Sequence, residues 1–402
     1  MEMTDLDLDR IATAVEAALA PLVEAAQPPG LTWGVDIDGQ RRVGALGYLD
    51  RQRTVRAAPD TIYRISSMTK PVTAVAALTL IEAGTIALDQ PVDQWLPELA
   101  DRRVLTRPDA PLDQTEPAHR PITVEDVLSF RLGHGMDFAT LGTPNPLEDR
   151  LAELGLGFGP PQPQHHLPAD EWLAALDSVP LRHQPGSRWL YNTGSEVLGV
   201  LLSRVCGESL GTVLRERVLE PLGMPDTGFS VPPGSLGRFG ALFSAPHPDN
   251  PEAGAPDVND PRDGQWSTPP PFEGGDAGLV STVGDFLAFG AMLRDVGGVL
   301  SADSVAAMCR NHLTDGQLRA GGPSPDRSTG WGFGVSVALH GPSPTVVRGI
   351  GWDGGLGSTW RNDTSRGLVA VLLTNQSWAS PVPPAVAETF WSVLARTVPL
   401  RA

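Results

Sequence analysis

Apolar residues recur at helical spacing near the start of the chain. Leu8, Ile11, Val15, Ala18, Leu19, Leu22 and Val23 fall on one face, which predicts an amphipathic helix ahead of residue 27. Residues 31–38 and 42–49 then alternate about Asp38-Gly39, a short hairpin signal, and predict two paired strands. The run over 67–83 is different. Val72, Val75, Ala76, Leu78, Leu80 and Ile81 leave almost no polar face, and Gly84 supplies a stop, so a helix buried on all sides is expected. Pro71 is tolerated only in a first helical turn, which places the start near Ser66 or Ser67.

Between 89 and 271 the pattern breaks into Pro-rich loops with helical pieces at 123–130, 169–176, 196–205 and 211–219. Segments 160–164 and 245–271 are the least regular and read as long surface loops or a lid. Regularity returns with helices at 283–294 and 302–310, strand-like runs at 334–339, 345–349, 358–361 and 368–373, and a final amphipathic helix at 384–396. Strands at both chain ends with helices between them predict a mixed α/β fold. One antiparallel sheet is built from both ends, flanked by helices, with a largely helical insertion. On this reading residues 1–85 and 275–402 form a sheet lobe and 86–274 a helical, loop-rich lobe, together one composite catalytic domain. No internal repeat is present.

Composition narrows the partners. The chain has 402 residues, longer than one compact core usually supports, and its 41% apolar content with ten Trp is ample for a packed interior. A formal net charge of −17 argues against nucleic acid and anionic membrane surfaces as partners, and its simplest role is solubility. The first 27 residues lack the basic start and unbroken apolar run of a secretory signal, and no later stretch is apolar enough to span a bilayer. A cytoplasmic location is therefore expected. In that compartment Cys206 and Cys309 read as free core thiols. His165-His166 lies in a Pro/Gln-rich loop, and no His, Cys and carboxylate spacing suggests a metal, so neither metal nor other cofactor is expected.

The chemistry shows at Ser67-Met68-Thr69-Lys70. Residues i and i+3 are neighbours on a helix face, so the Lys70 amine can reach the Ser67 hydroxyl and take its proton. Ser66 is the rival nucleophile, but its i+3 partner is Thr69, which cannot act as a base. Two further segments supply what an activated serine needs. Tyr191, in Trp189-Leu190-Tyr191-Asn192-Thr193-Gly194, precedes a helix and could relay a proton; a plain buried tyrosine reads the same way. Trp352-Asp353-Gly354-Gly355-Leu356-Gly357 leads into a strand, and its glycines either let backbone N–H groups approach an oxyanion or form an ordinary turn.

Together and in this order, the three segments resemble the serine β-lactamase and penicillin-binding-protein superfamily, in its class C-like branch of esterases, the family VIII-type carboxylesterases. The resemblance covers nearly the whole chain. It extends to Tyr63-Arg64-Ile65 before the tetrad, Leu88-Asp89-Gln90-Pro91-Val92, Pro185-Gly186-Ser187-Arg188-Trp189, Gly278-Leu279-Val280-Ser281-Thr282 and Leu372-Leu373-Thr374-Asn375.

The resemblance implies Ser67 as the acylated nucleophile, Lys70 as its base and Tyr191 as a second proton-transfer group. The N–H groups of Ser67 and Gly355 would form the oxyanion hole, with Gly354 and Trp352 beside it. To take a proton near neutral pH, Lys70 must sit among groups that disfavour its charge. The second motif of this branch is Tyr, any residue, Asn; here Asn192 is second and Thr193 third, so either faces the substrate. Penicillin-recognising members carry Lys or His where this chain has Trp352. A neutral aromatic there resembles carboxylesterases of the branch and speaks against penicillins and D-alanyl peptides.

The expected function is hydrolysis of small carboxylic esters through a Ser67 acyl-enzyme, with a small-molecule ester as substrate, neither nucleic acid nor membrane as partner, and the oligomeric state left open. The alternatives are acyl transfer from the same intermediate, a β-lactamase or D-alanyl-D-alanine peptidase, and a non-catalytic ligand-binding protein. By the same resemblance, residues 130–138, 156–168 and 245–272 are the expected pocket walls.

Overall fold

The computed structural model describes residues 5–245 and 256–401. Helix α1 (Asp5–Glu24) leads into strands β1 (Gly30–Ile37) and β2 (Gln40–Gly47). Asp38 and Gly39 both take positive φ, 53° and 87°, which is the two-residue turn whose twist suits a hairpin. The buried helix α2 (Thr69–Glu82) follows, and Gly84 past its end is left-handed at φ 69°. Later come α3 (Thr193–Cys206) and α4 (Val283–Arg294), then β3 (Thr329–Trp331), β4 (Ser336–Ala338), β5 (Ile350–Gly354), β6 (Ser358–Asp363), β7 (Leu368–Thr374) and helix α5 (Ala385–Thr397).

The seven strands form one antiparallel sheet in the order β2-β1-β7-β6-β5-β4-β3, so the last strand inserts beside the first. Side-chain alternation makes both faces of the central strands apolar. On β7, Leu368, Ala370 and Leu372 join Leu31, Trp33, Val35 and Ile37 of β1 beneath α1 and α5. Val369, Val371 and Leu373 point the other way into a cluster that holds α2, α3 and α4. That second cluster continues through Val104, Leu128 and Trp172, so the 86–274 segment shares a core with the sheet. Every residue of β1 and β7 is buried, as expected for strands covered on both sides.

The observed elements differ from the sequence pattern in one place that matters. The expected strand at 345–349 is loop, and β5 occupies Ile350–Gly354 instead. Gly349 takes φ 127° and passes so close to the Asn362 carbonyl that a Cβ would lie 1.9 Å from it. The chain turns there, and pairing with β6 begins at Ile350. Of the irregular 245–271 segment, residues 246–255 lie outside the described residues. Among the described residues no single helix is long and apolar enough to cross a membrane.

Candidate active site

Ser67 sits in a single 3-10 turn, Ser66–Met68, that runs directly into α2. Ser66 is held in the left-handed region at φ 45° with its side chain buried, a strained conformation that leaves Ser67 as the residue facing out. The turn is clamped from the sheet side. The Ser358 hydroxyl donates to the Ile65 carbonyl at 2.7 Å, and Gly354 lies so close that a Cβ would fall 2.3 Å from the same oxygen. Behind it, Arg64 pairs with Asp260 through Nε at 2.8 Å and lies over the Phe239 ring at 4.0 Å, both charged side chains being buried.

Lys70 is the single lysine of the chain and is wholly buried. Its Nζ donates to Ser67 Oγ at 3.0 Å and to the Asp276 carbonyl at 2.9 Å, and lies 4.6 Å from the centroid of the Tyr191 ring. The 274–279 segment that carries Asp276 is laid against α2 by two threonines. Thr73 donates its hydroxyl to the Gly275 carbonyl at 2.9 Å, and Thr69 Oγ1 accepts the Leu279 N–H at 3.1 Å. On its other side a Cβ at Gly275 would lie 2.6 Å from the Ser195 carbonyl, so only glycine lets α3 approach.

Tyr191 is held by backbone bonds to Met136 in both directions, each 2.8 Å. Its ring packs among Phe130, Phe138, Trp331 and Trp352 at centroid distances of 5.1–6.2 Å. The Trp352 indole N–H donates to the Tyr191 phenol oxygen at 2.7 Å. That bond occupies one lone pair of the phenol and leaves its own proton free to be donated.

Asn192 adopts φ 81° and ψ −66°, and the Thr193 N–H reaches the Tyr191 carbonyl at 3.2 Å. This is a tight, strained γ-turn. It sends Asn192 into the cleft, where its Nδ2 donates to an Asp276 carboxylate oxygen at 2.9 Å. Thr193 is buried as the first residue of α3 and does not line the cleft, so of the two residues only Asn192 is placed toward a substrate.

Ser67, Tyr191, Asn192, Trp352 and Gly355 line one cleft of about 1480 Å³. Gly355 N–H has no hydrogen-bond partner among the described residues, its carbonyl accepts the Trp378 N–H at 2.8 Å, and a Cβ on it would meet nothing within 4 Å. The backbone at Gly355 is therefore open to the cleft. Gly354 serves the packing beneath and does not line the cleft.

Of the expected walls, Met136, Phe138, Leu156, Phe158, His166 and Phe272 line the cleft. His166 belongs to it as an aromatic neighbour of Phe272, with ring centroids 5.4 Å apart. Sequence reasoning missed the opposite wall, built from residues 318–326, 346–349 and 377–383. It also missed Glu196 and Asp276. Glu196 is a buried carboxyl on the first turn of α3 that lines the cleft. Burial first, and then the Asp276 carboxylate, hold its proton affinity well above the usual carboxylate range. A Glu three residues after a helix start carries no chemical signal by itself.

The sheet order, the buried nucleophile helix and the clamped turn are the architecture of the β-lactamase and transpeptidase-like serine hydrolases. A family model described as Beta-lactamase matches residues 15–385, and the chain belongs to that family. It is similar to Protein Rv1367c of Mycobacterium tuberculosis, 36% identical over 349 residues that cover 83% of this chain and 82% of the relative. It is also similar to Esterase EstB of Burkholderia gladioli, 30% identical over 376 residues covering 88% and 87%. Among solved structures, EstCE1, described as a hydrolase with promiscuous acyltransferase activity, superposes with a TM-score of 0.79 at 23% identity, covering 98% of this chain and all of that one.

Proposed function

We propose that this serine hydrolase cleaves carboxylic esters through an acyl-enzyme on Ser67. The observation that carries the reading is the 3.0 Å contact between the Lys70 amine and the Ser67 hydroxyl, open to the cleft beside the free N–H of Gly355. Lys70 takes the serine proton as Oγ bonds to the ester carbon, and the carbonyl oxygen gains negative charge against backbone N–H groups. The C–O bond to the alcohol then breaks, and Tyr191 delivers a proton to the leaving oxygen, recovering it from Lys70. Water repeats the sequence and releases the acid. The name of EstB supports an ester as substrate.

Trp352 supports the same choice over a lactam or peptide. Its only polar atom is committed to Tyr191, so it offers no cation to a substrate carboxylate. The cleft revises the expected size of the ester. About 1480 Å³ exceeds the roughly 300–1,000 Å³ typical of small-molecule sites. Leu141, Val346 and Val382, three large apolar side chains that remain exposed, all stand on its edge. An ester with a bulky apolar acyl or alcohol part covers them, whereas a small one does not. The printed description of EstCE1 favours a second outcome of the same intermediate, capture by an alcohol in place of water.

Burst release of p-nitrophenol tests the reading. Ser67→Ala should abolish the burst and labelling by a fluorophosphonate while the far-UV spectrum stays unchanged; retained turnover would overturn it. Covalent labelling by penicillin would return the lactam reading.

A further inference from the structure

Asp276 places a carboxylate in the cleft without a counter-charge. Its backbone is fixed from below, because its carbonyl accepts the Lys70 amine at 2.9 Å and Gly275 beside it packs against α3. Its side chain turns into the cleft, where Oδ2 accepts the Asn192 amide at 2.9 Å. The other oxygen, Oδ1, lies over Gly274, where a Cβ would fall 2.8 Å from it. Among the described residues Oδ1 has no hydrogen-bond donor and is open to the cleft, and no arginine, lysine or histidine forms an ion pair with the carboxylate.

Asn192 adds a second acceptor. Its Nδ2 is turned to Asp276, so its amide oxygen points away from that bond, and among the described residues it too has no donor. These two neighbouring side chains therefore call for hydrogen-bond donors and, at Asp276, for positive charge. A carboxylate without a partner in a half-enclosed site is costly, and a ligand that brings a cation offsets that cost.

We propose that Asp276 is a specificity-determining residue that binds a primary ammonium group on the ester, so that the substrate is a cationic amino ester. The proposal rests on the esterase reading of the same cleft. A primary ammonium matches the carboxylate in charge and carries three N–H donors, enough for Asp276 Oδ1 and the Asn192 oxygen together. A carboxylate in the same place would meet like charge. The formal net charge of −17 also draws cations toward the protein from a distance.

The other charges of the cleft leave this corner to Asp276. Asp353 and Arg361 answer each other at 2.7 Å, and Arg319, Asp326 and Arg348 belong to the opposite wall. Glu196 adds another carboxyl from α3, and the amine of Lys70 is engaged by Ser67 Oγ and the Asp276 carbonyl.

Calorimetric titration of the whole protein with hexylammonium at neutral pH and low salt tests the proposal, with hexanol as the neutral match. The parent should bind hexylammonium about tenfold more tightly or better, as a charged hydrogen bond implies. Asp276→Asn keeps the shape of the side chain and an acceptor for Asn192, and it should remove that preference. Equal affinity of the parent for the two ligands, or a preference that survives in Asp276→Asn, overturns the proposal.

If Asp276→Asn does not fold, competition on the parent decides. Hexylammonium should inhibit hydrolysis of p-nitrophenyl acetate competitively, and inhibition by hexanoate of equal strength overturns the proposal. Binding needs no turnover. Its failure therefore counts against Asp276 alone, whereas a surviving burst in Ser67→Ala counts against the esterase reading.

Discussion

The indole N–H of Trp352 and the phenol oxygen of Tyr191 are joined at 2.7 Å across 161 residues of chain. The bond ties strand β5, which ends one residue before Gly355, to the loop that carries Tyr191, the phenol proposed for proton transfer. It also gives the tyrosine oxygen a fixed donor, which stabilises any negative charge that develops there.

Trp352→Phe keeps the ring contacts with Tyr191 and Trp331 but removes that donor. A hydrogen bond to a group carrying charge is worth about 1.5–3 kcal/mol, so kcat should fall roughly 10- to 100-fold. Steady-state ester hydrolysis checks it, and an unchanged kcat would remove Trp352 from proton transfer.

Asn192→Gly probes the strained γ-turn. Glycine takes a φ of 81° without steric cost, and relief of strain is worth about 1–3 kcal/mol. The same change loses the bond to Asp276. Thermal stability should hold or rise while burst rate drops by about tenfold, the two measurements moving in opposite directions.

Asp260→Asn leaves the Arg64 guanidinium buried without its counter-charge, behind the nucleophile turn. Burial already lowers the proton affinity of that guanidinium, to about 10. Stability should fall by about 3–5 kcal/mol in denaturant titration. A loss under about 1 kcal/mol would show that the anchor is not needed.

His134 gives the fold an acid limit. Burial, and then Arg102 and Arg182, depress its proton affinity to about 3 from an ordinary 6.5. The unfolded chain therefore binds the proton that the folded chain refuses. This stabilisation is complete above pH 6.5 and is lost as pH falls toward 3, up to about 4–5 kcal/mol. Glu196 acts with the opposite sign in the other direction. Its raised folded value makes stability fall as pH rises above about 4.5, the ordinary carboxyl value, until the folded carboxyl ionises. Denaturation midpoints of His134→Gln below pH 6, and of Glu196→Gln above pH 5, should each show a flatter pH dependence than the parent.

Charge placed on the cleft edge should select against size. Leu141→Asp and Val382→Asp lie on exposed positions, at 53% and 68%, and should fold normally. Hydrolysis of p-nitrophenyl acetate should change little, while kcat/KM for an ester with a bulky apolar alcohol should fall about tenfold or more. An equal effect on both substrates would return the site to small esters.

Much of this was legible in the residues because it depends on neighbours in sequence. The Asp38-Gly39 turn, the all-apolar 67–83 run and the Pro71 limit on where the helix starts are local, and so is the Ser67–Lys70 pair, which helix geometry brings together over three residues. Strand β5 was misplaced by its own composition. Its Gly351, Gly354 and half-buried Trp352 show little alternation, and its register comes from β6.

The sequence by itself determined the pairing of Ser67 with Lys70, proposed as nucleophile and base, and the family to which the three motifs point. Tertiary structure alone decided what surrounds them. Asp276 meets Lys70 across 206 residues, Asn192 and not Thr193 enters the cleft because of one strained turn, and the Glu196 carboxyl of α3 is buried against the same cleft. Such contacts are made by packing between distant segments, and a side chain's proton affinity depends on which groups that packing brings near and how much water it excludes.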